Sequence, residues 1–525
     1  MTAYPWLGPS VPDGSGPDDH KYTRWDAAYV LSALTEPDRR EYETHLDGCQ
    51  SCQNAVAELS GMPALLSLMD RDDIAEEDDP IPVRPPQPQS HLVGRRQELS
   101  TVAGLLEQAL DGHGAAVGIV GSPGIGKSRL VREVSAMAST FGVDVFSVVC
   151  ESHTSQVPFH AVAHLLRAVT GVEGLDPSAA RARIRAQAPV AEPEDLLLYD
   201  DLLGIADPDV DLPRIDPDAR RRRLTMLVNA SSLARQAPAV FVIEDAHWID
   251  EVSESLLADF VTVMTQTRSL VLVTHRPEYR GPLTRVAGLN TVDVAPLSEQ
   301  ETAALVSELL GPDLSDGMLS QRIADRSAGN PFFAEEIVRE LTERGVLRGQ
   351  PGAYLSAAEI DEVSVPVTLQ ATIAARIDRL DAPSKRTLSA AAVLGARFDL
   401  DLLAALGVEP VVDDLLDAQL VDQVRFARQP EYVFHHPSIR TVAYEFQLAS
   451  DRAELHRRVA AAIESRDPLA ADENAVLIAE HLEAAGDLHA AYSWHVRAAA
   501  WATFRVIGSA WRSWVRARTI ADALP

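Results

Sequence analysis

The chain has 525 residues, of which 46% are hydrophobic and 24% are charged, a balance that predicts several globular domains rather than a disordered chain. Its 47 basic and 77 acidic side chains give a formal charge of -30, which repels phosphate backbones and disfavours direct nucleic-acid binding. There is no apolar run of about 20 residues and no signal-peptide pattern, so we expect a cytoplasmic protein without a membrane span.

The N-terminal part divides into three segments by composition. Residues 1–19 are rich in proline, glycine and aspartate, which is typical of a disordered tail. Residues 20–70 are predicted to form a small all-helical domain, with a helix opened by Glu36-Pro37-Asp38. Residues 71–90 combine an acidic run with several prolines, which predicts an extended linker and a domain boundary.

A candidate zinc site lies in the small helical domain. His45, Cys49 and Cys52 have the spacing His-x₃-Cys-x₂-Cys, and the first two lie one helical turn apart. One imidazole and two thiolates suit tetrahedral Zn²⁺, with His20 as the candidate fourth ligand. Two alternatives stay open: a redox pair that forms a disulfide and releases the metal, or two buried thiols without a metal.

Residues 91–295 alternate apolar strands with amphipathic helices, which predicts an α/β domain with a parallel sheet covered on both faces. The predicted strands are 115–120, 143–150, 239–245 and 269–275. From residue 296 onwards helical patterns dominate, and we expect no further strands except a small hairpin near 420–435.

The segment from Gly121 to Ser128 fits the phosphate-loop pattern G-x-x-x-x-G-K-[ST], and it stands between a predicted strand and a predicted helix. Its glycines allow successive N–H groups to point at one anion, and the helix dipole adds to the attraction. Lys127 is expected on the β- and γ-phosphates of ATP, and Ser128 on Mg²⁺. The candidate nucleotide contacts of this loop are Gly121, Ser122, Pro123, Gly124, Ile125, Gly126, Lys127, Ser128 and Arg129.

Two later strands supply candidate catalytic groups. Glu244 and Asp245 end one apolar strand, and we expect one carboxylate on Mg²⁺ and the other on the attacking water, without assigning which is which. Thr274 and Arg276 end the next strand and could contact the γ-phosphate, since ligands bind at the carboxyl ends of parallel strands.

Several stretches together resemble one family. They are HLVGRRQEL (91–99), GSPGIGKS (121–128), VIEDAHWID (242–250), THRPEYR (274–280) and AGNPFFAEE (328–336). With these stretches the chain resembles the AAA/P-loop ATPase core of bacterial STAND regulators, which accompanies some class III adenylate cyclases and LuxR-type regulators with a C-terminal helix-turn-helix. No adenylate cyclase catalytic domain is recognised after residue 500.

This resemblance implies a domain order after the ATPase core. It predicts a helical lid over 296–365 and a winged-helix domain over 366–465. Residues 466–525 resemble the start of tetratricopeptide-like helical repeats. ATP-dependent homo-oligomerisation is also an expectation from the family.

The resemblance also implies further nucleotide contacts. Val93, Gly94 and Arg95 are expected beside the adenine, and Pro331 of the lid near the base. His436 of the winged-helix domain is expected at the β-phosphate.

A second resemblance concerns WDAAYVLSALTEPDRREYETHLDGCQSC (25–52), which is similar to the zinc-binding anti-sigma domain of bacteria. That family carries an upstream ligand besides the His-x₃-Cys-x₂-Cys pattern, which implies a Zn²⁺ site of His20, His45, Cys49 and Cys52. It also implies a protein partner, with a sigma factor as the candidate.

Together these features predict a regulatory ATPase in which slow, Mg²⁺-dependent hydrolysis switches the arrangement of core, lid and winged helix. One alternative is a scaffold that holds nucleotide without turnover and sequesters a sigma factor. Another is a regulator that binds DNA directly, which the net charge disfavours.

Two other features have ordinary interpretations. Arg220 to Arg223 are expected to form a solvated helix face, with an anion patch or an arginine reaching ATP of a neighbouring subunit as alternatives. Four tryptophans near helical spacing are expected to anchor helix packing: Trp494, Trp501, Trp511 and Trp514.

Overall fold

The computed structural model describes residues 36–46, 48–49, 56, 92–188, 191–314, 317–356, 365–366, 368–425, 430–466 and 471–524. The chain divides into two compact units, residues 1–87 and 88–525, and this boundary falls within the segment predicted to be a linker. The predictions for residues 1–19 and 71–90 lie outside the described residues.

In the first unit the described structure is mainly one helix, α1 (Glu36–Leu46). It occupies the position predicted from the Glu36-Pro37-Asp38 start. Tyr42 on this helix is fully buried, and its ring lies 6.2 Å from the His45 ring.

In the second unit the first part alternates strands and helices. The strands are β1 (Ala115–Val120), β2 (Asp144–Val149), β3 (Ala239–Glu244), β4 (Ser269–His275) and β5 (Leu289–Asp293). The helices are α2 (Arg96–Leu110), α3 (Lys127–Thr140), α4 (His160–Thr170), α5 (Pro177–Gln187), α6 (Pro193–Leu202), α7 (Pro217–Ala234) and α8 (Glu251–Met264).

These five strands form one parallel sheet in the order β2-β3-β4-β1-β5. Alternate side chains of each strand point to opposite faces, as the period of two requires. On β3, Val240 and Val242 join the core shared with α2 and α3, whereas Phe241 and Ile243 join the core shared with α4 and α8. The prediction of a parallel sheet covered on both faces is confirmed.

The next part packs three helices beside a hairpin. The helices are α9 (Glu299–Leu310), α10 (Met318–Ser327) and α11 (Pro331–Glu343), and the hairpin strands are β6 (Leu347–Gln350) and β7 (Ala353–Ser356). The prediction that no strand lies between 296 and the hairpin near 420 was therefore wrong. Two four-residue strands around a glycine-containing turn are too short to give a clear alternating pattern.

The following part is a small mixed domain with a three-stranded antiparallel sheet in the order β8-β10-β9. Its strands are β8 (Arg397–Asp399), β9 (Val421–Arg425) and β10 (Glu431–Phe434). Its helices are α12 (Leu369–Arg379), α13 (Ala382–Leu394), α14 (Leu400–Ala405), α15 (Asp413–Asp417) and α16 (Pro437–Glu445). The predicted hairpin near 420–435 is confirmed as β9 and β10.

The last part is entirely helical where it is described. It contains α17 (Ala449–Arg466), α18 (Ala475–Ala484), α19 (Leu488–Ala502) and α20 (Ile507–Ala523), and each helix packs on the next. Among the helices of the described residues, none is both long and apolar enough to cross a membrane.

The expectations for the arginine cluster and the tryptophans were partly wrong. Arg220 is 3% exposed and pairs with Asp201, because α7 turns this side chain inward, whereas Arg222 is exposed. Trp494 is buried and Trp501 packs against the core of the main sheet. Trp511 and Trp514 are instead 68% and 47% exposed, since they lie on the outer face of α20.

Candidate nucleotide site

The phosphate loop connects β1 to α3 with the geometry that its glycines allow. Gly124 and Gly126 have φ angles of +74° and +103°, a region that residues with a β-carbon rarely adopt. A β-carbon at Gly121 would lie 2.8 Å from the Val294 carbonyl oxygen, so this position also requires glycine. α3 begins at Lys127, directly after the loop, so its N-terminal N–H groups face the same space.

Lys127 lies folded over its own loop. The side chain is 7% exposed, and its Nζ donates to the carbonyl oxygens of Gly121 (2.8 Å) and Ser122 (3.1 Å). Burial lowers the pKa of this ammonium, and the negative charge of Asp245 opposes that shift. The charge is thereby held within the loop that the sequence predicts to cradle phosphates.

Glu244 and Asp245, at the end of β3, have different surroundings. Burial raises the pKa of Glu244, and the neighbouring Ser128 hydroxyl opposes that rise. Burial also raises the pKa of Asp245, and there the opposing charges are Lys127 and Arg276. The hydroxyl expected on Mg²⁺ is thus next to Glu244, whereas Asp245 lies beside the cations.

The end of β4 lies between the phosphate loop and this acidic pair, because β4 separates β1 from β3 in the sheet. Thr274 is fully buried, and its Oγ1 accepts a hydrogen bond from the Asp245 N–H at 2.9 Å. That bond fixes a residue with a φ of +53°. Arg276 stands with its guanidinium 5.9 Å from the centre of the Trp248 ring, and its charge reaches both Lys127 and Asp245.

Residues 93–95, which precede α2, contact both the phosphate loop and the lid. Arg95 is 4% exposed and donates to the Ile125 carbonyl (3.2 Å) and the Ala295 carbonyl (2.6 Å). Gly94 has a φ of +69°, and a β-carbon there would lie 2.7 Å from Leu297. Val93 packs against the apolar core of the lid. The described contacts of Arg95 are therefore structural, and the adenine contact of these residues stays a prediction.

The N-terminus of α11 contacts the phosphate loop directly. Asn330 caps this helix by accepting from the Phe333 N–H at 3.2 Å, and its Nδ2 donates to the Pro123 carbonyl at 3.2 Å. The Phe332 N–H donates to the Gly124 carbonyl at 3.4 Å. Pro331 is the first residue of the helix, so it lies at this junction. Sequence analysis named Pro331 but missed Asn330, although an asparagine before Pro at a helix start is a recognisable cap signal.

His436 is brought to the same place from the distant mixed domain. Its ring stacks on the Phe332 ring with 3.7 Å between centroids and an 18° interplanar angle. Its Nδ1 accepts from the Ser438 N–H at 3.1 Å, which caps α16. Burial, followed by the charges of His435, Lys127 and Arg276, lowers its pKa to about 3, so the ring is neutral. His436 thus contacts Phe332, and the Phe332 backbone N–H is bonded to the phosphate loop.

Three predicted residues have less informative positions. Arg129, on the first turn of α3, pairs with Glu133 at 2.9 Å. In the first unit, His45 lies in the last turn of α1, and Cys49 follows the helix as a half-buried free thiol.

The zinc prediction falls only partly within the described residues. His20 and Cys52 lie outside them. Among the residues that are described, no three histidine, cysteine, aspartate or glutamate side chains form a metal-binding group. The zinc site therefore stays a prediction.

The arrangement at the strand ends can bind a nucleoside triphosphate and activate water. It combines a glycine loop at the start of a helix, a buried lysine, a serine next to a carboxylate, and a second carboxylate of raised pKa beside an arginine. These are the groups that phosphoryl transfer requires for charge stabilisation and water positioning.

Comparisons with known proteins agree with this geometry. The family model of the AAA ATPase domain matches residues 91–273, and that of a domain of unknown function (DUF8739) matches residues 298–348. An uncharacterized protein of Rhizobium meliloti (strain 1021) is 28% identical over 414 residues, which cover 75% of this chain and 39% of that protein. The anti-sigma-L factor RslA of Mycobacterium tuberculosis is 54% identical over 82 residues, which cover 14% of this chain and 32% of that protein.

The chain thus spans well under half the length of either curated relative. Among solved structures, the chain is similar to a signal transduction ATPase with numerous domains (STAND) protein with a tetratricopeptide repeat sensor from Pyrococcus horikoshii. That likeness has 14% identity, a TM-score of 0.45, and coverage of 83% of this chain and 54% of that one. From the family match and the loop geometry, residues 91–273 form an AAA ATPase domain.

Proposed function

We propose that this protein is a regulatory ATPase of the STAND kind, which binds ATP with Mg²⁺, hydrolyses it slowly and thereby changes the arrangement of its domains. The observation that carries the proposal is the phosphate loop, in which Gly124 and Gly126 have positive φ angles and the buried Lys127 donates to two loop carbonyls. The neighbouring Ser128 hydroxyl and Glu244 carboxylate would supply metal ligands, and Lys127 would supply the cation that a bound triphosphate requires.

The two acids take different roles in this proposal. Glu244 would hold Mg²⁺, because it is the acid next to the Ser128 hydroxyl. Asp245 would orient and deprotonate the attacking water, because burial raises its pKa and it lies beside Lys127 and Arg276. Thr274 would keep Asp245 in place, because its Oγ1 accepts a hydrogen bond from the Asp245 backbone N–H.

The switch would act through the contacts that the lid and the mixed domain make with the loop. Asn330 and Phe332 bond to the loop backbone, and His436 stacks on Phe332. A nucleotide that alters this loop would favour one arrangement of these contacts over another. In this proposal 296–365 is the lid, 366–465 a winged-helix domain and 466–525 the start of a helical repeat array. ATP-dependent self-association is part of the proposal.

The test is steady-state ATP turnover and nucleotide binding by the purified chain, with Lys127→Ala alongside. We expect turnover that needs Mg²⁺ and is lost in the variant, since the lysine charge on the phosphates is removed. Lys385→Ala is the matched control, because this half-buried lysine donates to the Asp378 carbonyl on the distant mixed domain. Turnover that survives in Lys127→Ala would contradict the assignment of the site.

A second candidate function is suggested by the 54% identity with an anti-sigma factor. In this version the small helical domain, 20–70, binds a sigma factor, and the ATPase domain holds nucleotide without turnover. His20, His45, Cys49 and Cys52 would hold Zn²⁺ and so stabilise a unit with little core of its own. Bound nucleotide without turnover, together with one zinc per chain by metal analysis, would favour this version over the first.

A further inference from the structure

His247 is a polar side chain beside the candidate site that the proposed mechanism leaves without a role. It lies in the short 3₁₀ turn Ala246–Trp248, directly after the acidic pair. Its side chain is 11% exposed, yet neither ring nitrogen has a hydrogen-bond partner among the described residues. Buried polar groups are rarely left unpaired, so such a ring points to a hydrogen-bonding group from outside the protein.

The neighbours of the His247 ring indicate which group from outside the protein it would bind. Its Nδ1 lies 3.8 Å from Asp245 Oδ1. This distance is too long for a hydrogen bond, but it is short enough for both atoms to bind the same water molecule. The ring centre lies 5.2 Å from the Trp248 ring, which also faces Arg276. The Lys127 charge reaches the ring as well. The His247 ring thus lies near the Asp245 carboxylate and within reach of the charges of Arg276 and Lys127.

The imidazole is in the form that can both donate and accept. Both of its ring nitrogens are unpaired among the described residues, so both are available to a bound molecule. In a neutral imidazole one nitrogen donates and the other accepts. Such a ring can orient a water molecule without competing with Asp245 for its proton.

We infer that His247 is a further catalytic residue, which holds the attacking water by a hydrogen bond while Asp245 removes its proton. This inference rests on the proposed ATPase function. The water oxygen forms a bond to the γ-phosphorus, and the bond from that phosphorus to the β,γ-bridging oxygen breaks. ADP leaves with the electron pair, and the proton of the water passes to the Asp245 carboxylate.

The turn is held rigidly enough to place this ring. The Asp245 N–H bonds to Thr274 Oγ1 at 2.9 Å, which fixes the start of the turn to β4. The Asp250 carboxylate, just after the turn, accepts from the N–H groups of Phe159 (3.0 Å) and Ser253 (2.9 Å). The turn is therefore fixed on both sides of His247, which limits the movement of the ring.

The experiment compares His247→Ala and His247→Asn with the wild-type chain and with His113→Ala, an exposed histidine before β1. The measurements are steady-state ATP turnover, binding of a non-hydrolysable ATP analogue, thermal unfolding, and turnover of the alanine variant with added imidazole. For His247→Ala we expect kcat to fall about 10- to 100-fold, with analogue binding changed by less than about 2-fold. We also expect partial recovery with imidazole and a smaller loss in His247→Asn.

Three outcomes would overturn the inference. A kcat for His247→Ala equal to that of the wild type would remove the role while leaving the proposed function intact. A fall in kcat matched by weaker analogue binding and a lower melting temperature, without recovery by imidazole, would show a packing role. An absence of turnover in the wild-type chain would reject the hydrolytic function itself and this inference with it.

Discussion

Replacing Arg376 should strongly destabilise the junction between the lid and the mixed domain. This side chain on α12 is fully buried and pairs with Glu336, itself fully buried on α11, and with Glu343 at 2.8 Å. It also donates to the Ala418 carbonyl. Removing one partner of a buried pair costs about 3–5 kcal/mol, because the other charge stays buried and unpaired.

The expected value for Arg376→Met lies near the lower end of that range. Glu336 keeps a second ion pair, with Arg339, and Glu343 is 29% exposed and keeps Arg379. We therefore expect the free energy of unfolding to fall by about 3 kcal/mol. The apolar methionine fills similar volume, so little of this loss should come from a cavity.

Urea denaturation followed by circular dichroism would measure the change, in a double-mutant cycle with Glu336→Met. Because the double variant also removes the Glu336 carboxylate, which Arg376→Met leaves fully buried with one of its two ion pairs lost, we expect it to be more stable than Arg376→Met alone. Arg379→Met is the matched control. It removes an arginine that is 34% exposed, so the loss should stay within about 1 kcal/mol. A loss for Arg376→Met as small as that of the control, or strictly additive effects in the cycle, would refute the reasoning.

Two further predictions concern the acidic pair and the buried histidines. Glu244→Gln should raise the Mg²⁺ concentration needed for half-maximal turnover, whereas Asp245→Asn should lower kcat and leave the Mg²⁺ dependence unchanged; a Mg²⁺ titration of both variants decides, and the reverse pattern would exchange the two roles. His481 is 5% exposed, its Nδ1 lies 2.8 Å from that of His456, and burial, then His456 and Arg440, lower its pKa to about 3. A histidine whose pKa is lower in the folded state than in the unfolded state stabilises the fold at pH values above its unfolded pKa of about 6.5. This stability is lost as the pH falls below that value, because the unfolded chain then binds a proton that the folded chain does not. The loss is at most about 1.4 kcal/mol per pH unit. His481→Gln should therefore flatten the dependence of unfolding free energy on pH between about 6.5 and 4, and urea midpoints that shift equally with pH in both proteins would contradict this.

The parts of the site that the sequence predicts are those encoded in short, contiguous patterns. The loop from Gly121 to Ser128 requires glycine at fixed positions, and the apolar run before Glu244 marks a strand that ends in the site. The edge strand β5 was missed, because Leu289 to Asp293 is short and mostly exposed on one side, so its residues do not form an apolar run. The other edge strand, β2, was predicted because its sequence is an apolar run, so local pattern detects a strand by its apolar run and not by its place in the sheet.

Contacts between distant segments were not predictable in the same way. The bond from Asn330 to the Pro123 carbonyl joins residues that are 207 positions apart, and no periodicity in the sequence records it. His436 was expected near the nucleotide only from a family resemblance, and its stacking on Phe332 depends on how the mixed domain packs. The proposed division of roles between Glu244 and Asp245 also depends on the fold, since the packing of α3 against β3 brings Ser128 near Glu244.

These distant contacts meet on one helix, α11. Its first turn bonds to the phosphate loop through Phe332, and its middle carries Glu336, which pairs with Arg376 of α12. A helix of 13 residues moves nearly as a rigid rod, so a shift of the loop at one end must be accommodated at the buried ion pairs further along. In the proposed switch, a nucleotide that changes the loop would therefore also change the free energy of the Arg376 junction. Because coupling between two sites is reciprocal, weakening that junction would in turn change the affinity for the nucleotide.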